Sequence, residues 1–435
     1  MTSSFPSCSQ VSLNKPKQKK SSSSSSVDAV IGNNDLVTQI LLRVPAKSVL
    51  KFKLVSKKWL SIISHPSFAF HHTQLNPHTT SALLLRVLFL FKEPFIYRFL
   101  SLDGKSVVNV PSNFLCFDPD NPSSTYISQS CNGLHLCYRS GIFCYIERNR
   151  STYVFNPTTR QFSVIPSPPP GNEISLSQIQ LVFDPLKSPY YKILCVSHLE
   201  STLEIYVYSS EIKIWKLSVR HEDYDISPAG LSNGVFWNGA VHWIDPAGNE
   251  FCFLVDEECL RAMPRPPLPA SRELNSFRYF GESDGQLHFI GLLTGEQNPD
   301  VMNMGVNVSP DMSAGQMARS RSSNIGSQFI VVYAMDKGYS NWFVKYYLDA
   351  NAIAVAYAEM MEDPTVSPCL VNGSINISSF IEGNNEEGPL LVINMPGEII
   401  SYSFKSKTFK KLFSFHPCED HICSALQYTE TLAWV

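Results

Sequence analysis

A short turn that recurs along the second part of the chain constrains the fold more than any other feature. In each copy Asn or Asp precedes Gly, and a histidine follows within two or three residues among apolar neighbours. The copies lie at residues 132–135, 238–242 and 284–288, and a looser copy without the histidine lies at 396–400. Asn-Gly and Asp-Gly readily adopt the positive φ angles of tight turns, and the apolar alternation that follows is typical of a strand. We therefore expect repeated β-hairpins.

The spacing of these turns predicts a propeller. Gly239 and Gly285 are 46 residues apart, whereas the intervals from Gly133 to Gly239 and from Gly285 to Gly397 are 106 and 112 residues, each long enough for two units. Repeats of four strands at about 40 to 50 residues are typical of WD-like or kelch-like β-propellers. We predict a large all-β, propeller-like domain over residues 81–435 with roughly six to eight blades, although it lacks the paired glycines of a true kelch repeat.

A second recurring unit supports this interpretation. It is a hairpin in which an aromatic strand, a polar turn and another aromatic strand follow one another, at residues 153–162, 207–215 and 402–409. Residues 296–327 interrupt the β pattern with Met, Asn, Ser, Gly and Arg, which predicts a disordered insertion between two strands. No long amphipathic helix is expected after residue 81.

Residues 32–75 have a different pattern, which predicts a small three-helix module. The apolar residues of its first part share one helical face, and Asn33 is a suitable N-cap before them. Pro45 ends this first helix, Ser56 is placed to cap a third, and the pair His65-Pro66 is expected to end the third helix. Three short helices cannot bury so many apolar side chains among themselves, so the surplus predicts a surface that docks on another protein.

Composition narrows the class of function. Charge is nearly balanced, with 35 Lys and Arg against 38 Asp and Glu, so no global field favours nucleic acid or a membrane surface. Eleven cysteines are scattered without a framework, which predicts reduced thiols in a chain without a secretory signal. Residues 1–31 contain a serine run and a lysine cluster, which predict a disordered tail; the lysines leave open a nuclear import signal or a plain solvated segment.

The helical stretch resembles an F-box. The runs LLRVPAKSVL at 41–50, FKLVSKKW at 52–59 and IISHPSF at 62–68 match the pattern of that family closely. One departure exists, because the family usually opens with Leu-Pro, where this chain has Gly32-Asn33. That departure concerns the first contact with a partner and leaves the rest of the pattern in place.

Two further motifs extend the resemblance to most of the chain. They are Cys-Asn-Gly-Leu at 131–134 and Asn-Pro-Thr-Thr-Arg-Gln-Phe at 156–162. With the F-box they resemble the plant F-box proteins that carry a C-terminal F-box-associated, kelch-like interaction domain. The resemblance implies an α+β multidomain chain, with an F-box at 32–75 followed by the β-propeller-like domain at 81–435.

The resemblance also implies a function. The F-box would dock on the Skp-type adaptor of an SCF-type cullin–RING ubiquitin ligase, and the β domain would bind a target protein. The chain would then be a non-catalytic substrate-recognition subunit of the nucleus or cytoplasm, with no cofactor and no nucleic-acid or membrane partner. Seven residues are expected to bind the adaptor; they are Leu36, Ile40, Val44, Pro45, Val49, Leu50 and Trp59. Some of these seven must instead form the module's own core.

Two alternatives stay open. The chain could be an F-box adaptor or a propeller binding module that acts without ubiquitin transfer, and the missing Leu-Pro gives this some room. The propeller could also be an enzyme or a small-ligand lectin, because one fold hosts many functions. Carboxylates and histidines that converge on the central channel would indicate the latter.

Other chemical patterns carry less weight. Residues 416–423 read H-x-C-x2-H-x-C, but this spacing matches no common zinc module, and we predict packed cysteines and exposed histidines rather than a metal site. The histidines of the recurring turns share one repeat position, so we attribute them to blade architecture rather than to a catalytic cluster. The sequence contains no G-x-S-x-G elbow, Walker loop or H-E-x-x-H pattern.

Overall fold

The computed structural model describes residues 30, 32–76, 80–89, 92–102, 105–110, 112–115, 117, 125–139, 151–169, 178–199, 201–222, 234–244, 250–266, 277–294, 328–361, 375–383, 388–415 and 420–435. The predicted tail at 1–31, apart from Val30, and the predicted insertion at 296–327 lie outside the described residues. The side chains of the 416–423 pattern also lie outside them.

Four short helices open the described part of the chain and form what we call the helical module. They are α1 (Asn34–Leu41), α2 (Ala46–Phe52), α3 (Lys57–Ile63) and α4 (Pro66–Leu75). The predicted fold class, a helical module followed by a β-propeller, is confirmed, but the module has one helix more than the sequence pattern predicted.

The starts of these helices explain why the sequence pattern predicted three helices rather than four. The Asn33 side chain accepts hydrogen bonds from the N–H groups of Asp35 at 2.9 Å and Leu36 at 3.2 Å, and Ser56 caps α3 in the same way. The pair His65-Pro66 does end α3, but α4 begins at the proline, with the His65 ring as its cap. Proline at the first helical position loses no hydrogen bond and already has a helical φ, so it starts a helix as readily as it ends one.

The strands of the described chain form six four-stranded antiparallel sheets, which are the blades of a propeller. Blade 1 holds β24 (Asp420–Thr429), β1 (Thr80–Phe89), β2 (Lys92–Ser101) and β3 (Val107–Asn109). Blade 2 holds β4 (Thr125–Cys131), β5 (Leu134–Arg139), β6 (Thr152–Asn156) and β7 (Gln161–Ile165). Blade 3 holds β8 (Gln178–Val182), β9 (Lys192–Leu199), β10 (Thr202–Ser209) and β11 (Ile214–His221).

The other three blades follow the same order. Blade 4 holds β12 (Val235–Trp237), β13 (Ala240–Ile244), β14 (Glu250–Leu254) and β15 (Cys259–Ala262). Blade 5 holds β16 (Phe277–Ser283), β17 (Gln286–Thr294), β18 (Gln328–Met335) and β19 (Trp342–Asp349). Blade 6 holds β20 (Asn376–Ile381), β21 (Leu390–Met395), β22 (Glu398–Ser403) and β23 (Thr408–Ser414).

The ring closes because the last strand of the chain completes the first blade. β24 pairs with β1 along its length, from Thr80 opposite Thr429 to Phe89 opposite Asp420. The inner strands β24, β4, β8, β12, β16 and β20 each contact the next one around the circle. The blade number therefore lies within the range that the sequence predicted.

Both recurring sequence units have a fixed place in the blades. The Asn-Gly and Asp-Gly pairs join the first strand to the second, and both residues have positive φ, for example 46° at Asn132 and 85° at Gly133. The aromatic hairpins join the third strand to the fourth in blades 2, 3 and 6. The looser copy at Pro396-Gly397 also forms a tight turn, but it joins β21 to β22, the second and third strands of blade 6. Any tight turn favours glycine, so the glycine alone did not report the blade position.

Within the described residues one α-helix interrupts the β domain, contrary to the prediction from sequence. It is α5 (Ala350–Met361), which lies in the connection from blade 5 to blade 6 and packs on β18, β19 and β23. Ile353, Ala354 and Tyr357 are buried, and the Tyr357 hydroxyl donates to the Pro396 carbonyl at 2.6 Å. Alanine occupies much of the buried face, and its small side chain gives a weak apolar pattern.

Two glutamines tie the inner strands together. Gln129 on β4 accepts a hydrogen bond from Leu181 N–H on β8 at 2.7 Å and donates to the Gly234 carbonyl, directly before β12, at 3.3 Å. Gln427 on β24 donates to the Glu282 carbonyl on β16 at 3.2 Å and to a carbonyl of β20 at 3.0 Å. Each glutamine therefore joins three neighbouring inner strands, and the two sets of three together include all six inner strands.

The topology gives the propeller two different ends. The turns between the third and fourth strands of every blade lie at one end, together with the turns between the first and second strands of blades 2 to 6. We call this end the hairpin face. The other connections lie at the opposite end, which we call the link face. The helical module enters at the hairpin face, because α4 ends at Leu75 and β1, a second strand, begins there at Thr80.

Candidate protein-docking surface

The helical module has a core of its own. Leu41 and Val49 have no exposed surface, and they pack with buried residues from all four helices. One residue from the far end of the chain, Leu432, belongs to the same cluster. The other members are Val37, Leu42, Ala46, Ile63, Phe68 and Ala69.

Hydrogen bonds fix the ends of the helices around this core. The His72 ring nitrogen Nε2 lies 2.7 Å from the Val44 carbonyl, and the Asn76 side-chain amide donates to the Leu42 carbonyl at 2.8 Å. Both bonds join α4 to the turn between α1 and α2. Burial lowers the pKa of His72, so the ring is neutral near pH 7 and donates its Nε2 proton to this carbonyl.

The structure divides the seven residues that the sequence proposed for adaptor contact. Leu36 and Ile40 on α1 are 46% and 53% exposed, and Pro45 at the start of α2 is exposed as well. Three others are half-buried against the module core; they are Val44, Leu50 and Trp59. Val49 is fully buried and offers no surface to a partner, so it contributes to the module through its core.

Sequence reasoning missed the most exposed apolar residue of the module. Leu54 is 90% exposed, and Val55 beside it and Leu60 on α3 are also exposed. Leu54 and Val55 occupy the turn between α2 and α3, where two adjacent apolar residues have no partner within the turn. That placement was visible in the sequence, because Ser56 as the N-cap of α3 leaves both residues outside a helix.

These exposed residues lie on neighbouring elements. α1 contacts α3, and the Lys58 ammonium donates to the Gly32 carbonyl at 2.8 Å, which holds the first turn of α3 beside the start of α1. The segment from Gly32 to Asn76 carries six Lys and Arg residues and one Asp. A surface that combines exposed apolar side chains with a basic surrounding suits a partner with apolar and acidic groups.

The three recurring histidines lie in three separate blades. All are fully buried on the second strand of their blade, where each has its own surroundings. The His242 ring lies 3.2 Å from both the Val235 carbonyl and the Tyr339 hydroxyl, so the neutral ring donates to the first and accepts from the second. His288 lies 2.9 Å from the Glu382 carboxylate. The prediction that they belong to blade architecture is consistent with this separation.

In the part of the chain that the structure describes, titratable side chains of the propeller meet at Glu382, whose carboxylate lies 2.9 Å from His288 Nε2 and accepts a hydrogen bond from the Tyr346 hydroxyl at 3.3 Å. Among the described residues, no three His, Cys, Asp or Glu side chains are grouped to hold a metal ion. Burial raises the pKa of Cys131 to about 12, so this thiol is protonated and a poor nucleophile near neutral pH. Burial also raises the pKa of Glu282 to about 7, but its carboxylate accepts the Gly285 N–H at 2.7 Å and so supports a turn.

No helix among the described residues combines the length and the apolar character needed to span a membrane.

Two comparisons with known families agree with this architecture. Residues 33–71 match the F-box domain, and residues 87–275 match the F-box associated beta propeller domain. The first range covers α1 to α4 up to the middle of the last helix, and the second begins within β1 and ends before blade 5.

Curated relatives extend the likeness to nearly the whole chain. The F-box protein At5g07610 of Arabidopsis thaliana is 30% identical over 436 residues, which cover 94% of this chain and 93% of that protein. The putative F-box protein At3g10240 of the same plant is 31% identical over 222 residues, or 48% of this chain and 51% of that protein.

The fold thus defines a class, that of chains that join a small helical module to a β-propeller. This chain belongs to the F-box proteins that carry an F-box associated β-propeller domain. An F-box followed by a β-propeller implies a substrate-adaptor role for the chain. The kelch-like character of the repeats stays a prediction.

Proposed function

We propose that this chain is the substrate-recognition subunit of an SCF-type cullin–RING ubiquitin ligase. The helical module docks on a Skp-type adaptor, which connects it to a cullin and a RING subunit. The observation that carries the proposal is the exposed apolar surface around Leu54 on an F-box whose core is already complete. Burying a leucine side chain contributes about 1.5–3 kcal/mol, so its exposure in the free chain is a cost that docking removes.

The docking surface consists of the exposed apolar residues of α1 and of the α2–α3 turn. Leu36 and Ile40 on α1 and Leu54 and Val55 in the turn are its main contacts, with Pro45 at the start of α2. Val44, Leu50 and Trp59 are half-buried and contribute at the edge of this surface. Val49 supports the surface from within the module core.

The propeller binds the target protein in this proposal. The link face is the natural place for it, because it lies opposite the helical module. The chain would contribute no chemistry of its own. By holding a target lysine near a charged ubiquitin carrier it raises the effective concentration of one reactant for the other.

A binding experiment tests the adaptor contact. The purified adaptor should retain the native chain. Leu54→Asp should weaken retention at least about tenfold, because a charge would replace a leucine that docking buries. Leu186→Asp is a matched control, since Leu186 is also an exposed leucine but lies in the propeller. Failure of the adaptor to retain the native chain would overturn the proposal.

One observation favours the alternative that the chain acts without ubiquitin transfer. The family's opening Leu-Pro is replaced by Gly32-Asn33, and here Asn33 serves as the N-cap of α1. A reconstituted ligase of adaptor, cullin and RING subunit separates the two functions. Transfer of ubiquitin to the bound chain supports the ligase, whereas binding to the adaptor without any transfer favours an adaptor of another kind.

We also place the chain in the nucleus or cytoplasm, where ubiquitin ligases of this type act. Cys131 and Cys137, two buried cysteines of the described chain, form no disulfide bond, which suits a reducing compartment. A fluorescent fusion observed in plant cells tests this placement, and accumulation in the secretory pathway would contradict it.

A further inference from the structure

The last six residues of the chain, 430–435, follow β24 and lie between the propeller and the helical module. We call them the C-terminal segment. On the propeller side, the fully buried Asn156 donates from its amide to the Thr431 carbonyl at 3.1 Å and to the Ala433 carbonyl at 2.8 Å. The Thr158 hydroxyl accepts a hydrogen bond from the Thr431 N–H at 3.2 Å. Blade 2 thus holds the backbone of this segment in an extended path.

The turn between β4 and β5 completes this contact. Gly133 has a φ of +85°, and a Cβ atom on it would lie 2.6 Å from Thr431 Cγ2 and 2.8 Å from the Thr429 carbonyl oxygen. Only glycine therefore lets the segment approach the turn so closely. Ala433 is buried in the core cluster between blades 2 and 3, which includes Leu134, Leu136 and Val154 of blade 2.

These contacts give a physical role to the two propeller motifs that single out this family in the sequence. The Asn-Pro-Thr-Thr motif supplies Asn156 and Thr158, and the Cys-Asn-Gly-Leu motif supplies Gly133 and Leu134. Asn156 is well suited to this place, because its amide donates twice while its oxygen accepts the Thr158 N–H at 2.9 Å and holds the side chain still. All of these residues face the C-terminal segment, not the link face.

On its other side the C-terminal segment enters the helical module. Leu432 is only 6% exposed and belongs to the core cluster of the module, which contains residues from all four helices. The Glu430 carboxylate lies 2.6 Å from the Lys47 ammonium, which also stands 5.4 Å from the centre of the Tyr428 ring. One short segment therefore packs in the cores of both domains.

We propose that the C-terminal segment is a clasp that fixes the helical module against the hairpin face in one orientation, and that the two turns of blade 2 are its socket. Burial of Leu432 and Ala433 in two different cores fixes this orientation. The functional meaning of the clasp rests on the proposed function: it sets the direction in which the docking surface points relative to the propeller.

Hydrogen exchange measured by mass spectrometry on the full chain tests the clasp. In Leu432→Ala, amide exchange in α1 to α4 should rise about tenfold or more, because a buried leucine is lost from the module core, while blades 3 to 5 keep the exchange of the native chain. Trp434→Ala is the matched control, since Trp434 lies in the same segment but is 39% exposed, and it should exchange like the native chain. Unchanged exchange in α1 to α4 of Leu432→Ala would overturn the proposal.

A milder variant covers the case in which Leu432→Ala unfolds altogether. Leu432→Val removes one methylene, and faster exchange confined to the helical module supports the clasp, whereas no change or an equal change in all six blades overturns it. Small-angle scattering gives a second readout, since release of the module should increase the largest dimension of Leu432→Ala and leave that of Trp434→Ala unchanged. Both measurements use the chain without its adaptor. A native chain that fails to bind the adaptor would therefore end the proposed function without affecting this result.

Discussion

Acidification should destabilise the propeller through its buried histidines. Burial lowers the pKa of His135 to about 4 and the pKa of His242 to about 4. In the unfolded chain a histidine titrates near 6.5, so the unfolded state binds protons more tightly than the folded state does. The stability that comes from keeping these rings neutral is therefore complete above about pH 6.5 and is lost as the pH falls from there toward 4.

The size of the effect follows from these values. At pH 5 an unfolded histidine is almost fully protonated, whereas a folded one with a pKa of about 4 is about one-tenth protonated. The difference amounts to about 2 kcal/mol for each histidine, or about 4 kcal/mol for both. Domains have a total free energy of unfolding of about 5–15 kcal/mol, so this loss is large enough to measure.

Urea unfolding at pH 7.5 and at pH 5.0 measures the loss directly. In His135→Gln and in His242→Gln the drop in unfolding free energy between the two pH values should be about 2 kcal/mol smaller than in the native chain. The drop is a difference between two pH values of the same variant, so the baseline stability of that variant cancels. Glu282 contributes in the opposite direction, because its raised pKa favours the folded state at low pH, but this contribution is present in every variant and cancels when the drops are compared. His71→Gln, at an exposed histidine of α4, is the control and should keep the native drop. If both buried-site variants kept it too, the reasoning would be refuted.

Two further substitutions test the architecture. Gln427→Leu removes two hydrogen bonds to neighbouring inner strands and should lower the free energy of unfolding by about 2 kcal/mol. Gln161→Leu, on the exposed edge of blade 2, is the control and should leave the free energy of unfolding unchanged. Equal urea midpoints of the two variants would contradict the role of Gln427. Gly133→Ala places a Cβ atom 2.6 Å from Thr431 Cγ2 at a positive φ and should cost about 1–3 kcal/mol. Gly32→Ala, where nothing lies within 4 Å of the new atom, should leave the melting temperature unchanged, and equal melting temperatures of the two variants would count against this account.

The sequence predicted the repeating part of the fold well because its turns demand particular residues. Positive φ at both positions of the first turn selects Asn-Gly or Asp-Gly, so blades 2, 4 and 5 can be recognised from the sequence alone. Blades 1, 3 and 6 do not use this turn. The long intervals between glycines indicated further units where blades 3 and 6 lie, whereas the strands of blade 1 lie outside these intervals. The closure by β24 was not predictable, because pairing of residues some 350 positions apart leaves no local pattern.

The docking surface was predictable in kind but not in detail. A helical periodicity shows which residues share a face, yet it does not show which face the rest of the module covers. Val49 and Leu50 are adjacent, and only the packing of α2 shows that the first is buried and the second half-buried. The burial of Leu432 in the module could not have been foreseen, because that contact joins the two ends of the chain.

The central claim is that the exposed apolar surface of the F-box is where this chain meets its adaptor. The most direct measurement is a calorimetric titration of the purified Skp-type adaptor into the native chain, Leu54→Asp and Leu186→Asp. The account predicts saturable binding to the native chain and to Leu186→Asp, and a dissociation constant at least about tenfold higher for Leu54→Asp. Equal affinity for all three chains, with α1 to α4 intact by hydrogen exchange, would contradict the claim and move the adaptor contact elsewhere on the molecule.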